Sequence, residues 1–276
     1  MGRAKILIPE DELRRLYVTE RLSPQKIGAQ YGCDGVTVRT RLKEAGITLK
    51  SKSAAQTRYP RRSFDGSNAE KAYLLGFKYG DLNAYIPKGA SETIVVRSHT
   101  THEIQVRLFE SLFEKYGKVT LSRNVRSIQT TCYLDMSFSF LLGKYPESIR
   151  RWLLSRERLL WAFTAGYIDA EGTFGLNQGR GRFKIDAYDA DILADIHALF
   201  LRYGLRSKSR VIARKGENDY GWEWKEDVWR VSINEAQSLE KLVTLLLPHL
   251  RHAKRIEDAQ IVLANIRKRR KNGTIN

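Results

Sequence analysis

Residues 72–85 read AYLLGFKYGDLNAY, and residues 162–175 read AFTAGYIDAEGTFG. The two stretches align at an offset of 90 residues, glycine on glycine and acid on acid. In each, small residues recur four apart, Gly76 with Gly80 and Gly166 with Ala170, which puts them on one face of a helix. A face without bulk lets two helices pack with their backbones close. Packing equivalent helices brings their equivalent ends together, and those ends carry Asp81 and Glu171. A carboxylate at a helix C-terminus opposes the macrodipole, and a second one beside it adds like-charge repulsion. A divalent cation relieves both, and a hard oxygen donor set suits Mg²⁺, with Mn²⁺ or Ca²⁺ able to replace it for binding. Beside a phosphodiester, the same pair can serve to orient and activate water for hydrolysis.

The repetition continues outward. LFEKYG at 112–117 returns as LFLRYG at 199–204, an offset of 87 residues. Each copy is expected to hold a small-residue helix, two strands, an amphipathic helix (101–116 and 189–203) and two more strands. Further helices are expected at the C-terminal end, over 234–247 and 251–268. Along 180–185 basic and apolar side chains alternate, as on a half-buried strand. Residues 129–136 alternate as well, with Cys132, Leu134 and Met136 facing in. The fold class expected is α+β: two pseudo-symmetric αββαββα repeats, 69–155 and 156–276.

Upstream, residues 9–45 read as three short helices. Pro9 and the acids Glu10, Asp11 and Glu12 open the first. Ser23-Pro24 caps the second and Gly32 ends it; Asp34 caps the third, which Gly46 ends. The order resembles a helix-turn-helix, with Gly28 at the helix crossing and Ile27, Val38 and Leu42 in the core. That resemblance implies a small all-α DNA-binding domain over 1–48, its recognition helix presenting Thr37, Arg39, Thr40, Arg41 and Lys43 to a major groove. Residues 49–68 are polar, basic and aperiodic, the composition of a linker or of an arm along DNA.

Lys and Arg number 48 against 31 acidic residues, a net charge of +17. A surplus of that size points to a polyanionic partner, nucleic acid first. The two cysteines, Cys33 and Cys132, make no C-x-x-C pair and offer no zinc spacing, which suits a reducing compartment. No secretory h-region and no membrane-spanning apolar run is present, so an intracellular setting is expected, in a prokaryotic cytoplasm or nucleoid or in an organelle.

The paired motifs at 72–85 and 162–175 resemble the two signatures of the LAGLIDADG homing endonucleases in their monomeric two-repeat form, over about residues 69–270. The second copy follows the pattern closely. The first has Tyr79 where the family often has Asp and Leu82 where it usually has Gly; both lie beside the acid and neither replaces it. The resemblance implies two four-stranded sheets forming a saddle on double-stranded DNA. It also implies metal bound at Asp81 and Glu171, and strands cut across the minor groove to leave short 3′ overhangs. A basic residue near the cleavage centre, just before the last helix of a repeat, is implied too. Lys254 matches that position in the second copy and Lys144, less closely, in the first.

On this reading the polar side of the strands is the DNA-reading surface. Its candidates are Gln129, Thr131, Tyr133, Arg180, Arg182, Lys184, Lys208, Arg210 and Arg214, residue types that bond base edges or phosphates. The function expected is site-specific cleavage of a long asymmetric DNA target by a free-standing, intron-encoded homing endonuclease. Two rivals use the same fold: an RNA maturase bound to the host intron RNA, and a DNA-binding transcriptional regulator. Loss of the acids would favour the regulator, and both acids are present.

Overall fold

The computed structural model describes residues 7–20, 22–49, 59–89, 92–219 and 221–275. They fall into two compact units, one containing the N-terminal helices and one running from Pro60 to Gly89 and from Thr93 onward.

The N-terminal unit holds helices α1 (Glu10–Arg14), which continues into a π-helical turn over Arg15–Thr19, α2 (Pro24–Gln30) and α3 (Gly35–Glu44). The caps lie where the sequence puts them. Ser23 accepts from Lys26 N–H and Asp34 from Thr37 N–H, while Gly32 and Gly46 leave their helices at φ of 67° and 64°. Leu13, Leu16, Tyr17, Ile27, Val38 and Leu42 form the core. A Cβ on Gly28 would lie 2.4 Å from the Cys33 carbonyl oxygen and 3.1 Å from that of Asp34, the N-cap of α3, so the glycine lets the start of α3 lie close against α2.

The second unit repeats one topology twice. The first copy runs α4 (Asn68–Asp81), β1 (Asn83–Tyr85), β2 (Ile94–Thr100), α5 (Glu103–Phe113), β3 (Val119–Arg123), β4 (Ile128–Leu134), a 3₁₀ turn over Met136–Leu141, and α6 (Glu147–Leu154). The second runs α7 (Glu157–Glu171), β5 (Gly172–Asn177), β6 (Arg180–Ala187), α8 (Ala190–Arg202), β7 (Lys208–Ala213), the small hairpin β8 (Asn218–Asp219) and β9 (Trp222–Glu223), β10 (Val228–Ile233), α9 (Ala236–Leu246) and α10 (Ala253–Lys271). The sheets have the same antiparallel order, β1-β2-β4-β3 and β5-β6-β10-β7. The β8–β9 hairpin is an insertion of the second copy, at a place where the first makes a short turn between β3 and β4. The expected αββαββα repeat is the observed one.

The stretch read as a linker is packed in part. Residues 50–58 lie outside the described residues. From Pro60 onward the chain is bound to the first repeat: Arg62 N–H donates to the Tyr116 carbonyl at 2.8 Å, and Arg61 donates to Thr93 Oγ1 at 2.6 Å. Phe64 packs edge-on against Phe138 and Phe140. Between Pro60 and Ser67 the single aromatic residue, Phe64, stands among basic and polar ones and gives no periodic signal, which is why that part reads as linker.

α4 and α7 are the centre of the unit. A Cβ on Gly76 would lie 2.0 Å from the Phe163 carbonyl oxygen, and one on Gly166 would lie 2.1 Å from that of Tyr73. These reciprocal contacts are with backbone, which cannot step aside. Gly166→Ala is therefore expected to lower unfolding stability by about 3 kcal/mol or more, at the upper end of overpacking costs, read by urea denaturation. A variant as stable as the parent would mean the two helices are further apart than described.

Candidate active site and nucleic-acid interface

Asp81 is the last residue of α4 and Glu171 the last of α7. The helix pairing brings them together: a Cβ on Gly80 would lie 2.3 Å from Ala170 Cβ, 3.0 Å from Glu171 Cγ and 3.4 Å from its Oε1. All four small residues of the expected interface, Gly76, Gly80, Gly166 and Ala170, thus lie in it. Leu82 follows Asp81 with φ −108° and ψ 137°, an ordinary extended conformation, so the turn there needs no glycine.

Both carboxyls resist ionisation. Burial raises Asp81 to about 6, against the opposing pull of the Gln105 hydrogen bond and the Arg255 charge. Burial raises Glu171 to about 7, reinforced by the charges of Asp81 and Asp189 and opposed by Arg255. Gln105 Nε2 donates to Asp81 Oδ2 at 2.5 Å. Asp189 accepts from Tyr167 Oη at 2.8 Å.

The basic partner differs from the one expected. Lys254 Nζ bonds Asp258 Oδ1, one helical turn along α10, at 3.0 Å, and its side chain is exposed. Arg255, the next residue, is the one whose charge bears on Asp81, Asp169 and Glu171 together. Its Nε is buried without a partner among the described residues. Adjacent residues on a helix point about 100° apart, so a one-residue shift in the motif match decides which of them faces the acids. Lys144 is exposed, and its carbonyl oxygen accepts from Tyr79 Oη at 3.0 Å.

Asp169, the first acid of the second motif, accepts from Tyr73 Oη at 2.7 Å and from the backbone N–H groups of Arg251 at 2.7 Å and His252 at 3.1 Å. It fixes the loop that starts α10. Tyr79 occupies the equivalent position in the first repeat and holds the equivalent loop, ahead of α6, with the hydrogen bond reversed.

On the second sheet the expected strand residues share the polar face. Arg182 and Lys184 alternate with the buried Phe183 and Ile185, and Arg180, Lys208, Arg210 and Arg214 are exposed. On the first, Gln129 and Tyr133 are accessible, whereas Thr131 is only 5% exposed. Thr131 lies in register between Arg97 and Thr120 on the two flanking strands. Several residues of these faces were missed. Arg97 and His99 pair with Thr131 and Gln129, and Arg230 and Ser232 pair with Asp186 and Lys184. Alternation in residues 228–233 could have found Arg230, but Arg97 follows the unbroken apolar run Ile94-Val95-Val96. Gln105 also left a signal, being a buried polar residue on the apolar stripe of Leu108, Phe109 and Leu112.

In the N-terminal unit, α3 exposes Val36, Arg39, Thr40, Lys43 and Glu44, and Thr37 is half-buried. The first four stand at i, i+3, i+4 and i+7, so they form one stripe along the helix, with Glu44 at its C-terminal end. Arg41 is off that stripe, 15% exposed and paired with Glu44 at 2.6 Å.

Among the described residues, no group of three or more His, Cys, Asp and Glu side chains is placed to hold a metal. None of their helices is long and apolar enough to cross a membrane.

Residues 158–246 match the family described as LAGLIDADG-like domain. No curated protein matches the chain. Among solved structures, the chain is similar to the homing endonuclease I-DmoI, with 19% identity, 65% of this chain and 90% of that one covered, and a TM-score of 0.48. It is similar to the LAGLIDADG meganuclease I-AabMI bound to uncleaved DNA, with 16% identity, coverages of 73% and 92%, and a TM-score of 0.46. It is also similar to full-length DUF199/WhiA from Thermatoga maritima, with 14% identity, coverages of 75% and 63%, and a TM-score of 0.46.

The acid pair makes stability depend on pH. Because Glu171 is raised above an unfolded glutamate, the fold favours its protonated form, a contribution present below pH 4.5 and lost as pH rises through about 7. Glu171→Gln cannot ionise and is expected to melt higher than the parent at about pH 8, with the gap closing toward about pH 4.5. Each kcal/mol recovered is worth about 2–4 °C in a unit of this size. Calorimetry across that range checks it, and a lower melting temperature for the variant at about pH 8 would contradict the repulsive pair.

Proposed function

We propose that this protein, whose second repeat matches a LAGLIDADG-like domain, is a metal-dependent, site-specific double-strand DNA endonuclease. The observation that carries the reading is the pairing of Asp81 and Glu171 at two helix ends in a chain of net charge +17. Two carboxylates held together against burial and repulsion suit a divalent cation, and with only two protein ligands the remaining positions fall to phosphate oxygens and water. Such a cation, Mg²⁺ by preference, supplies an activated water and neutralises charge on the departing oxygen.

The chain's own residues supply the rest. Asp81 and Glu171 hold the carboxylate positions, one for each DNA strand. Gln105 orients Asp81 through its hydrogen bond. Arg255 lends positive charge to both acids and to a phosphate brought between them. Asp169 positions the start of the helix that carries Arg255. The polar faces of the two sheets bind the duplex, and the exposed stripe of α3 provides a second DNA contact. One chain supplies both acids, so it acts as a monomer.

On a duplex selected from a randomised library, Asp81→Asn and Glu171→Gln should each reduce Mg²⁺-dependent cleavage by orders of magnitude and leave binding largely intact. Arg255→Ala should cost about 10²–10³ in rate, and Lys254→Ala little. Full cleavage in either acid variant would sink the assignment, and the reverse order for the two basic residues would restore Lys254. Selection of RNA rather than DNA by the parent would favour a maturase.

The second DNA contact has its own test. Log affinity should fall steeply and linearly with log salt, and Arg39→Ala with Lys43→Ala should lower the slope by about two if both touch phosphates. A slope unchanged by the pair would show that the N-terminal helices bind something else.

A further inference from the structure

Asp186 on β6 and Arg230 on β10 face each other in register. Their inward neighbours Ile185 and Val231 are fully buried, so the pair lies on the polar face of the sheet. Arg230 Nε donates to Asp186 Oδ1 at 2.6 Å, and Nη2 donates to Oδ2 at 2.6 Å. Lys184 Nζ donates to Oδ2 at 2.8 Å. Arg210, exposed on β7, is the register partner of Arg230 on its other side.

A guanidinium has five N–H donors in a planar fork. Asp186 takes the Nε–H and one from Nη2, leaving both N–H groups of Nη1 and the second of Nη2. That remaining edge is itself a fork, with the spacing of guanine O6 and N7 in a major groove. An unrestrained arginine loses rotamer freedom on docking, and the two bonds to Asp186 have removed much of it beforehand. The carboxylate, shared between Arg230 and Lys184, also offsets part of their pull on phosphates. The arrangement favours discrimination over general affinity.

We propose that Arg230 reads a guanine in the half-site bound by the second repeat, and that Asp186 is its positioning residue. This rests on the DNA-binding reading above and names the base and the residues by which one of its sheets selects sequence.

The test is selection from a randomised duplex library by the parent, Arg230→Ala, Arg230→Lys, Asp186→Ala and Asp186→Asn, with binding to a scrambled duplex measured beside it. The parent should select a motif with guanine at one position. Both Arg230 variants should flatten that position alone, removing a discrimination of roughly 5- to 150-fold; Arg230→Lys keeps the charge and lacks the fork. The Asp186 variants should weaken the same preference while binding the scrambled duplex as tightly as the parent or more tightly, since a negative charge has left the interface. A purely structural cross-strand pair would leave the profile unchanged or degrade every position alike, and either result overturns the proposal. Retention of the remaining motif by Arg230→Lys and Asp186→Asn shows that the variants are folded. A parent that selects no motif overturns the DNA-recognition reading itself, an outcome distinct from a motif that ignores Arg230.

Discussion

Everything in the second unit depends on two glycines meeting two carbonyls. Gly76 lies against the Phe163 carbonyl and Gly166 against that of Tyr73, at separations that no side chain fits. Around these contacts, Tyr73, Phe77, Phe163 and Tyr167 are buried and lock the pair laterally. Because the helices meet by equivalent faces, their C-terminal ends also meet, and the acids follow. The electrostatic cost at Asp81 and Glu171 is thus a consequence of backbone packing. It persists because the core of each repeat leans on its central helix, and separating the acids would mean dismantling that core.

The repeats keep one framework and use different chemistry to hold it. In the second, Asp169 accepts N–H groups from Arg251 and His252; in the first, Tyr79 donates to the Lys144 carbonyl. Each bond ties the motif helix to the loop ahead of the repeat's last helix, with donor and acceptor exchanged. A loop can offer either its N–H or its C=O groups with a modest change in backbone dihedrals, so an aspartate and a tyrosine serve the same purpose. The difference between Tyr79 and Asp169 in sequence is therefore a reversal of hydrogen-bond polarity in structure.

The sequence made the fold legible because its strongest signals are local and occur twice. Small residues four apart, an acid at a fixed step and a second matched segment constrain the chain to one arrangement, and the caps at Ser23 and Asp34 are equally local. The acids of the site were legible for the same reason. The rest of the site was not. Gln105 stands out in sequence only as a polar residue on an apolar stripe, and its role follows from a distance of 2.5 Å that no spacing encodes. Arg255 and Lys254 are neighbours in sequence, and only the rotation of α10 tells them apart. Arg41 looks outward by composition, but its side chain is 15% exposed and pairs with Glu44. Pro60–Ser67 looks like linker because one Phe64 in a polar run anchors it, and a single anchor has no period.

The differing surroundings of the two acids have a common origin in α10. Arg255 is the basic residue whose charge bears on both Asp81 and Glu171, and it belongs to the last helix of the second repeat. The corresponding helix of the first repeat, α6, opens with Glu147-Ser148-Ile149, which offers no cation to the acids at the matching turn. Positive support for both carboxylates thus comes from one helix start, and the residue that fixes that start is Asp169. A single source of positive charge therefore serves both acids. It also leaves the acids unequal: Asp81 has Gln105 as a hydrogen-bond donor, while Glu171 has the negative charge of Asp189 nearby. Glu171 accordingly is the harder of the two to ionise, and the pseudo-symmetry of the backbone does not extend to the electrostatics at its centre.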